Sequence, residues 1–364
     1  MAALRFFFYL LMKPATIGLF LLAVAGIFAP VVNPGVWWIP AFAALFFPFI
    51  AVGNILLLIF WIYQRKFWLL MPLLGLIGNY DYFATTYQWP WRTLPIYAGG
   101  KCLRLVSYNA ESFYWINKEP DKKVMAKVGE ENHLDLFCIQ EHCEEVGFSE
   151  EEAIRRFGMP YRAVFFNRCT GWANFGLSVY SKYPILRQGN IDFGSEVNAA
   201  MWVDIKVDLD TIRIFNNHLQ TTNFSQRKKD FYERRSVKDW RGQARLLVKI
   251  LESLQYNFEL RANQAALVRR IIDTTRHPVI VCGDFNDVPM SYAYGKICGK
   301  DLRSGFEESA LGFQPSFRGL KGVLRIDFVT YSQKFRGLSY HTPSWPWSDH
   351  NPVIMELEYV NSPS

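Results

Sequence analysis

The chain has 364 residues, room for a membrane segment plus one folded domain of roughly 250 residues. Its net charge of +7 is unevenly placed. Residues 1–99 carry five basic side chains (Arg5, Lys13, Arg65, Lys66, Arg92) and one acid, Asp81, which leaves a net of only +3 beyond them, so a pI near 9.0 is weak evidence for a nucleic-acid partner.

In chain order, residues 15–32 and 36–63 are long apolar stretches without a charge, each sufficient to cross ~30 Å of hydrocarbon as a helix. Pro30, Asn33, Pro34 and Gly35 cluster where the two stretches meet and predict a turn that makes a helical hairpin. A cleaved signal peptide is disfavoured, because a second apolar stretch follows and no small-residue cleavage site stands between. Trp37, Trp38, Trp61 and Tyr63 lie near the ends of the stretches, as interfacial aromatics do. Arg5 and Lys13 precede the first span and Arg65 and Lys66 follow the second, which puts both flanks in the cytoplasm. A third apolar run, 67–83, is read as another crossing, with a re-entrant or surface-lying helix as the alternative. Residues 1–83 are thus expected to be a membrane anchor, 84–101 a Pro- and Gly-containing linker, and 102–364 a catalytic domain.

From Cys102 the pattern alternates between strand and helix. Strands are predicted at 102–108, 134–140, 161–166, 177–181, 201–207, 211–218, 279–283, 325–331 and 353–359, with helices at 121–131 and across 226–275. This predicts a layered α/β domain with two packed sheets. Residues 224–256 hold nine basic and four acidic side chains, read either as a solvated helix face or as a basic flap that attracts phosphates. The six cysteines show no zinc or redox spacing; Cys138 and Cys282 fall inside apolar strands and read as buried thiols.

The densest signal is Val279-Ile280-Val281-Cys282-Gly283-Asp284-Phe285-Asn286-Asp287. An apolar strand runs into Gly283, where the backbone is expected to turn, and Asp284 and Asn286 follow two apart on one side of the chain. Alone, this is common turn chemistry. Other strands also end in polar groups: Asn109 and Glu111, then Gln140-Glu141-His142, His218, Asp327, and Ser348-Asp349-His350. Loops on a rigid sheet are where sites are built.

The ordered set Ser107-Tyr108-Asn109, Ile139-Gln140-Glu141, Asn217-His218-Leu219, Gly283-Asp284-Phe285-Asn286, Arg325-Ile326-Asp327 and Ser348-Asp349-His350 resembles the endonuclease/exonuclease/phosphatase superfamily of DNase I-like enzymes, including its membrane-anchored bacterial members. The resemblance implies a four-layered α/β sandwich and divalent-metal-dependent phosphoester cleavage with Mg²⁺ or Mn²⁺. It assigns metal binding to Glu141, Asn109, Glu111 and Asp349. Asp284 would orient or deprotonate the attacking water, and Asn286, Asn109 and His218 would hold the phosphate. His350, held in one tautomer by Asp349, would stabilise transition-state charge, with Asp327 in support. His218 matches the branch that uses histidine rather than tyrosine near the leaving group, which disfavours a DNA-repair role.

The expected protein is a multi-pass membrane enzyme of the bacterial inner membrane, its catalytic domain outside the cytoplasm. Its substrate would be a phosphodiester of nucleic acid or phospholipid, and its partner the bilayer, with no protein partner inferable. The alternative is a membrane-tethered binding protein that uses the same fold without catalysis.

Overall fold

The computed structural model describes residues 2–113, 134–145, 151, 158–222, 240–319 and 321–360. The helix expected at 121–131 and the 226–239 part of the basic tract lie outside them. The chain divides into two compact units, each assembled from three segments. One comprises Met1–Ala84, Thr222–Asn263 and Val288–Lys296; the other comprises Thr85–Thr221, Gln264–Asp287 and Ile297–Ser364.

The first unit is helical and apolar. Helix α1 (Ala2–Ile27) is followed by α2 (Ile39–Leu45), α3 (Phe47–Tyr63), α4 (Leu70–Gly78) and α5 (Tyr80–Thr86). Its apolar core includes Ala23, Ala43, Phe47, Ile50 and Tyr82. Buried polar groups are paired inside it: Trp61 Nε1 donates to Thr16 Oγ1 at 2.8 Å, and Asn79 Nδ2 donates to Ala23 O at 2.9 Å.

These helices correct the expected spans. The continuous helix predicted over 36–63 is two helices meeting at 77° around Phe46. Pro48 stands in the first turn of α3, and a proline there starts a helix while barring the preceding chain from continuing through it. The run at 67–83 is likewise broken, at Asn79 between α4 and α5. Among the described residues, only α1 is long and apolar enough to cross a membrane, over Tyr9–Ile27; the bent α2–α3 pair makes a second only if counted as one span.

The second unit contains two six-stranded mixed sheets. Its strands are β1 (Lys101–Asn109), β2 (Leu136–Glu145), β3 (Tyr161–Cys169), β4 (Ala173–Ser181), β5 (Ile185–Asp192), β6 (Ala199–Val207), β7 (Asp210–His218), β8 (Val279–Asp284), β9 (Leu302–Ser304), β10 (Asp327–Ser332), β11 (Phe335–His341) and β12 (Val353–Tyr359). The orders are β11-β12-β1-β2-β4-β3 and β5-β6-β7-β8-β10-β9. Only β1–β2 and β7–β8 run parallel; every other neighbouring pair is antiparallel. Helices flank the packed sheets, as the resemblance implies; in α6 (Trp240–Thr274), Ala265, Val268 and Ile272 are buried.

Side chains alternate across each strand, so one set points between the sheets. That set gives one core: Leu103 and Leu105 of β1, Leu136 and Cys138 of β2, Ile212 and Ile214 of β7, Ile280 and Cys282 of β8, and Val329 and Tyr331 of β10. The intervening residues Val106, Tyr108, Phe137 and Ile139 belong to a second cluster, which also contains Trp345. Following the inward set along each strand leads from apolar to polar. Ser107, Gln140 and Asn216 come next, with Gln140 Nε2 donating to Asn216 Oδ1 at 2.6 Å and to Ser107 Oγ at 3.1 Å. The next positions on the same faces are Asn109, His218, Asp284 and Asp327.

Candidate active site

Asp284 lies at the centre. It ends β8, is 1% exposed, and pairs in register with Asp327 of β10 and His218 of β7. Its Oδ2 accepts from Asn109 Nδ2 at 3.0 Å and from Asn286 Nδ2 at 3.2 Å. His350 Nε2 lies 3.6 Å from the same oxygen and His218 Nε2 lies 3.8 Å away. Its Oδ1 accepts from the backbone N–H of Asn286 at 2.8 Å. Burial, with the Asp327 charge adding to it, raises the Asp284 pKa, while His350, His218 and Asn109 pull it back down.

Gly283 does not supply the turn expected of it; it is a strand residue. A Cβ there, on a backbone at φ +132°, would come within 2.0 Å of the Asn217 carbonyl oxygen. Glycine lets β7 and β8 approach closely enough to bring His218 beside Asp284. The turn comes at Asn286, at φ 52°. Asp284 and Asn286 do emerge side by side, held by the hydrogen bond from the Asn286 backbone to the Asp284 side chain.

Glu141 sits in an irregularity of β2, where the pairing with β4 shifts register between Ile139 and His142. Its φ is 50°, a conformation that costs a non-glycine residue about 1–3 kcal/mol and collects at functional sites. The half-buried carboxylate accepts from Asn109 Nδ2 at 3.3 Å and lies 3.6 Å from His218 Nε2. Burial raises its pKa, against the lowering pull of His350. Glu111, also left-handed at φ 48°, accepts from the Asp349 backbone N–H at 3.0 Å. Burial and the Asp349 charge raise its pKa too.

His350 has a different partner from the one expected. Its Nδ1 meets Asp327 Oδ2 at 2.9 Å, whereas Asp349 Oδ1 lies 3.8 Å from Nε2 on a half-exposed side chain. Asp349 turns outward because its backbone is tied to Glu111 and Arg318, so the carboxylate next in sequence is not the one that orients the ring. Burial alone would push the His350 pKa down; the carboxylates of Asp327 and Asp284 override it and raise it well above the ordinary value. For His218 burial wins, and its pKa is lowered.

Two serines complete the frame. Ser348 Oγ donates to Asn109 O at 2.7 Å and accepts from His350 N at 3.0 Å. Ser316 Oγ accepts from the backbone N–H groups of Ile326 and Asp327 at 2.9 and 3.0 Å. Ser348 has a signal in its Ser-Asp-His context. Ser316, in Gln-Pro-Ser-Phe, has none, and sequence reasoning missed it.

Asn109, Glu141, His218, Asp284, Asn286, Asp327 and His350 therefore converge, with Glu111 and Asp349 as an adjoining pair of acids. Five carboxylates face two imidazoles, one of which is held towards its neutral form. Asp284, Asp327 and His350 bring possible ligand atoms within 4.8 Å of one another, and Asp327 Oδ1 is buried with no hydrogen-bond partner among the described residues. The His350 Nδ1 is already engaged, so the oxygens are the better donors. Clustered hard oxygens with too little positive charge fit a divalent cation of the Mg²⁺ or Mn²⁺ type.

A family model described as the endonuclease/exonuclease/phosphatase family matches residues 106–350. The chain belongs to this family. Its members are phosphoesterase hydrolases that generally use divalent metals. A domain of unknown function (DUF8431) matches residues 5–86. Solved structures of the endonuclease/exonuclease/phosphatase family share the fold. A protein from Bacteroides thetaiotaomicron is 16% identical over 72% of this chain and 99% of its own, with a TM-score of 0.52. One from Bacteroides vulgatus, also 16% identical, covers 71% of this chain and 99% of its own at 0.50. One from Leptotrichia buccalis is 13% identical over 71% of this chain and 100% of its own, at 0.50. No curated protein matches in sequence.

Proposed function

We propose that the protein is a membrane-anchored, divalent-metal-dependent phosphodiesterase acting on nucleic acid or phospholipid. The observation that carries the reading is the position of the Asp284 carboxylate, buried among Asn109, Asn286, His218 and His350. A cation held by Glu141 and Asn109, with Glu111 and Asp349 beside them, would neutralise charge on the phosphate and act as a Lewis acid. Asp284 orients the attacking water and accepts its proton. Asn286 fixes the acid through its backbone N–H and, with Asn109, aligns the phosphate. His350, kept charged by Asp327, donates to a phosphoryl oxygen and stabilises the charge that builds there. His218 stabilises the leaving side.

Anchoring is assigned to α1, whose basic N-terminal flank stays in the cytoplasm, with the catalytic unit on the other side. The test uses the full chain in detergent, assayed for bis-p-nitrophenyl phosphate hydrolysis after exhaustive chelation and again after Mg²⁺ or Mn²⁺ is restored. The expected result is loss on chelation and recovery with metal. Activity unaffected by chelation would overturn metal dependence.

A further inference from the structure

The segment from Thr85 to Gly100, expected to be a linker, is bonded along the catalytic unit. The Thr85 carbonyl accepts from Arg325 Nη2. Gln88 and Gly312 exchange both backbone hydrogen bonds, at 3.1 and 2.7 Å. The Arg92 guanidinium donates to Gln88 Oε1, to Glu307 O at 2.6 Å and to Glu308 O at 2.9 Å, capping carbonyls of the short helix α7 (Gly305–Ser309). Further along, Arg336 reaches Ile96 O at 3.3 Å, and Glu358 Oε1 accepts from the N–H groups of Ala98 and Gly100 at 2.9 and 2.7 Å. The segment is a fixed strap.

A fixed strap of this composition is poorly suited to water. Tyr87, Trp89 and Trp91 are 44%, 61% and 77% exposed, and Ile96 and Tyr97 are exposed beyond them. The three rings form a continuous row, with centroids 5.8 Å apart for Tyr87–Trp89 and 5.1 Å for Trp89–Trp91. The indole N–H groups of Trp89 and Trp91 meet no acceptor among the described residues. Arg92 is the only charged side chain from Tyr82 to Gly100, and its three acceptors occupy it. Base stacking on a nucleic acid calls for free cations beside the rings, and the strap offers none. Apolar rings with a polar edge, held rigid and lacking free charge, fit the headgroup zone of a lipid bilayer. Chain continuity agrees, since Tyr87 follows directly on α5, the last of the apolar helices before the strap.

We propose that the strap seats Tyr87, Trp89 and Trp91 in the bilayer interface, a membrane contact made by the catalytic unit itself. This rests on the reading that the N-terminal helices lie in the same bilayer. Gly312 and Arg325, which hold the strap, bracket the segment leading into Asp327, so a seated strap also keeps the site close to the lipid surface.

Fluorine NMR on the full chain, labelled with 5-fluorotryptophan and reconstituted in phosphatidylethanolamine–phosphatidylglycerol nanodiscs, tests this. Resonances are assigned with Trp89→Phe, Trp91→Phe and Trp172→Phe, the last from an exposed tryptophan between β3 and β4. Gadolinium chelated to lipid headgroups is expected to broaden Trp89 and Trp91 at least threefold more than Trp172, and a water-soluble chelate to do the reverse. Trp89 and Trp91 responding to both agents as Trp172 does would overturn the proposal. Failure of the chain to elute with nanodiscs would overturn both the strap and the anchor. Headgroup broadening in a chain without phosphoesterase activity would uphold the strap and sink only the reading of the site.

Discussion

Replacing Asp327 by asparagine preserves the side-chain shape and removes the charge that meets His350 Nδ1 at 2.9 Å. With its orienting carboxylate gone, His350 is expected to lose most of its contribution to the transition state, a fall in kcat of about 10²-fold or more with little change in KM. Asp349→Asn is expected to be much milder towards His350, since Asp349 lies 3.8 Å away and is half exposed; steady-state kinetics of the two variants side by side make the check. A second residue-scale case lies away from the chemistry. Glu144, buried on β2, meets His142 Nε2 at 2.8 Å and Arg162 at 3.0 Å. Burial works to raise its pKa, but His142 and Arg162 prevail and lower it. A carboxyl depressed in the folded state contributes stability above its unfolded pKa and loses it as pH falls through the folded value. Glu144→Gln should therefore destabilise the protein by about 3–5 kcal/mol at neutral pH, the cost of stranding a buried partner, with the gap from wild type closing in denaturant titrations as pH drops below the carboxylate range.

The strands explain why so much of the site was legible in the sequence. On β1, β7, β8 and β10 the inward positions run from core residues to chemistry without a change of face, so a period of two carries the reading from Ile280 and Cys282 to Asp284. What periodicity does not carry is register between strands. Asp327 pairs opposite Asp284, which only the β8–β10 ladder reveals, so adjacency in sequence points to Asp349 rather than Asp327 as the orienting group for His350. Ser316 was illegible for the same reason, because its value lies in two backbone N–H groups ten and eleven residues away. Strands β5, β9 and β11 escaped prediction; they are edge or short strands with mixed polarity, and β11 carries a register shift of its own. Gly283 gives an element-scale test. Gly283→Ala puts a methyl group against the Asn217 backbone at a φ that L-residues avoid, so β7 and β8 must part. A drop in thermal midpoint together with loss of activity is expected in parallel thermal-melt and turnover assays, whereas an unchanged melt would refute the close-approach argument.

At the scale of the molecule, sequence hydropathy found the apolar region but misjudged its helices. Length and absence of charge made 36–63 one span, while Pro48 divides it and Asn79 divides the run that follows. The strap was equally hidden, since Pro and Gly signal irregular backbone and say nothing about what that backbone binds. If α1 crosses a bilayer, the full chain should remain in the membrane fraction after alkaline carbonate washing; its release into the supernatant would refute the anchor. The central claim is that the convergence of strands on Asp284 is a phosphoesterase site. It is tested most directly by the rate at which the full chain in detergent hydrolyses bis-p-nitrophenyl phosphate with saturating Mg²⁺, wild type against Asp284→Ala at matched circular dichroism. Metal-dependent turnover is expected in the wild type, with a loss of at least about 10³-fold in the variant. Equal rates in the two proteins would contradict it.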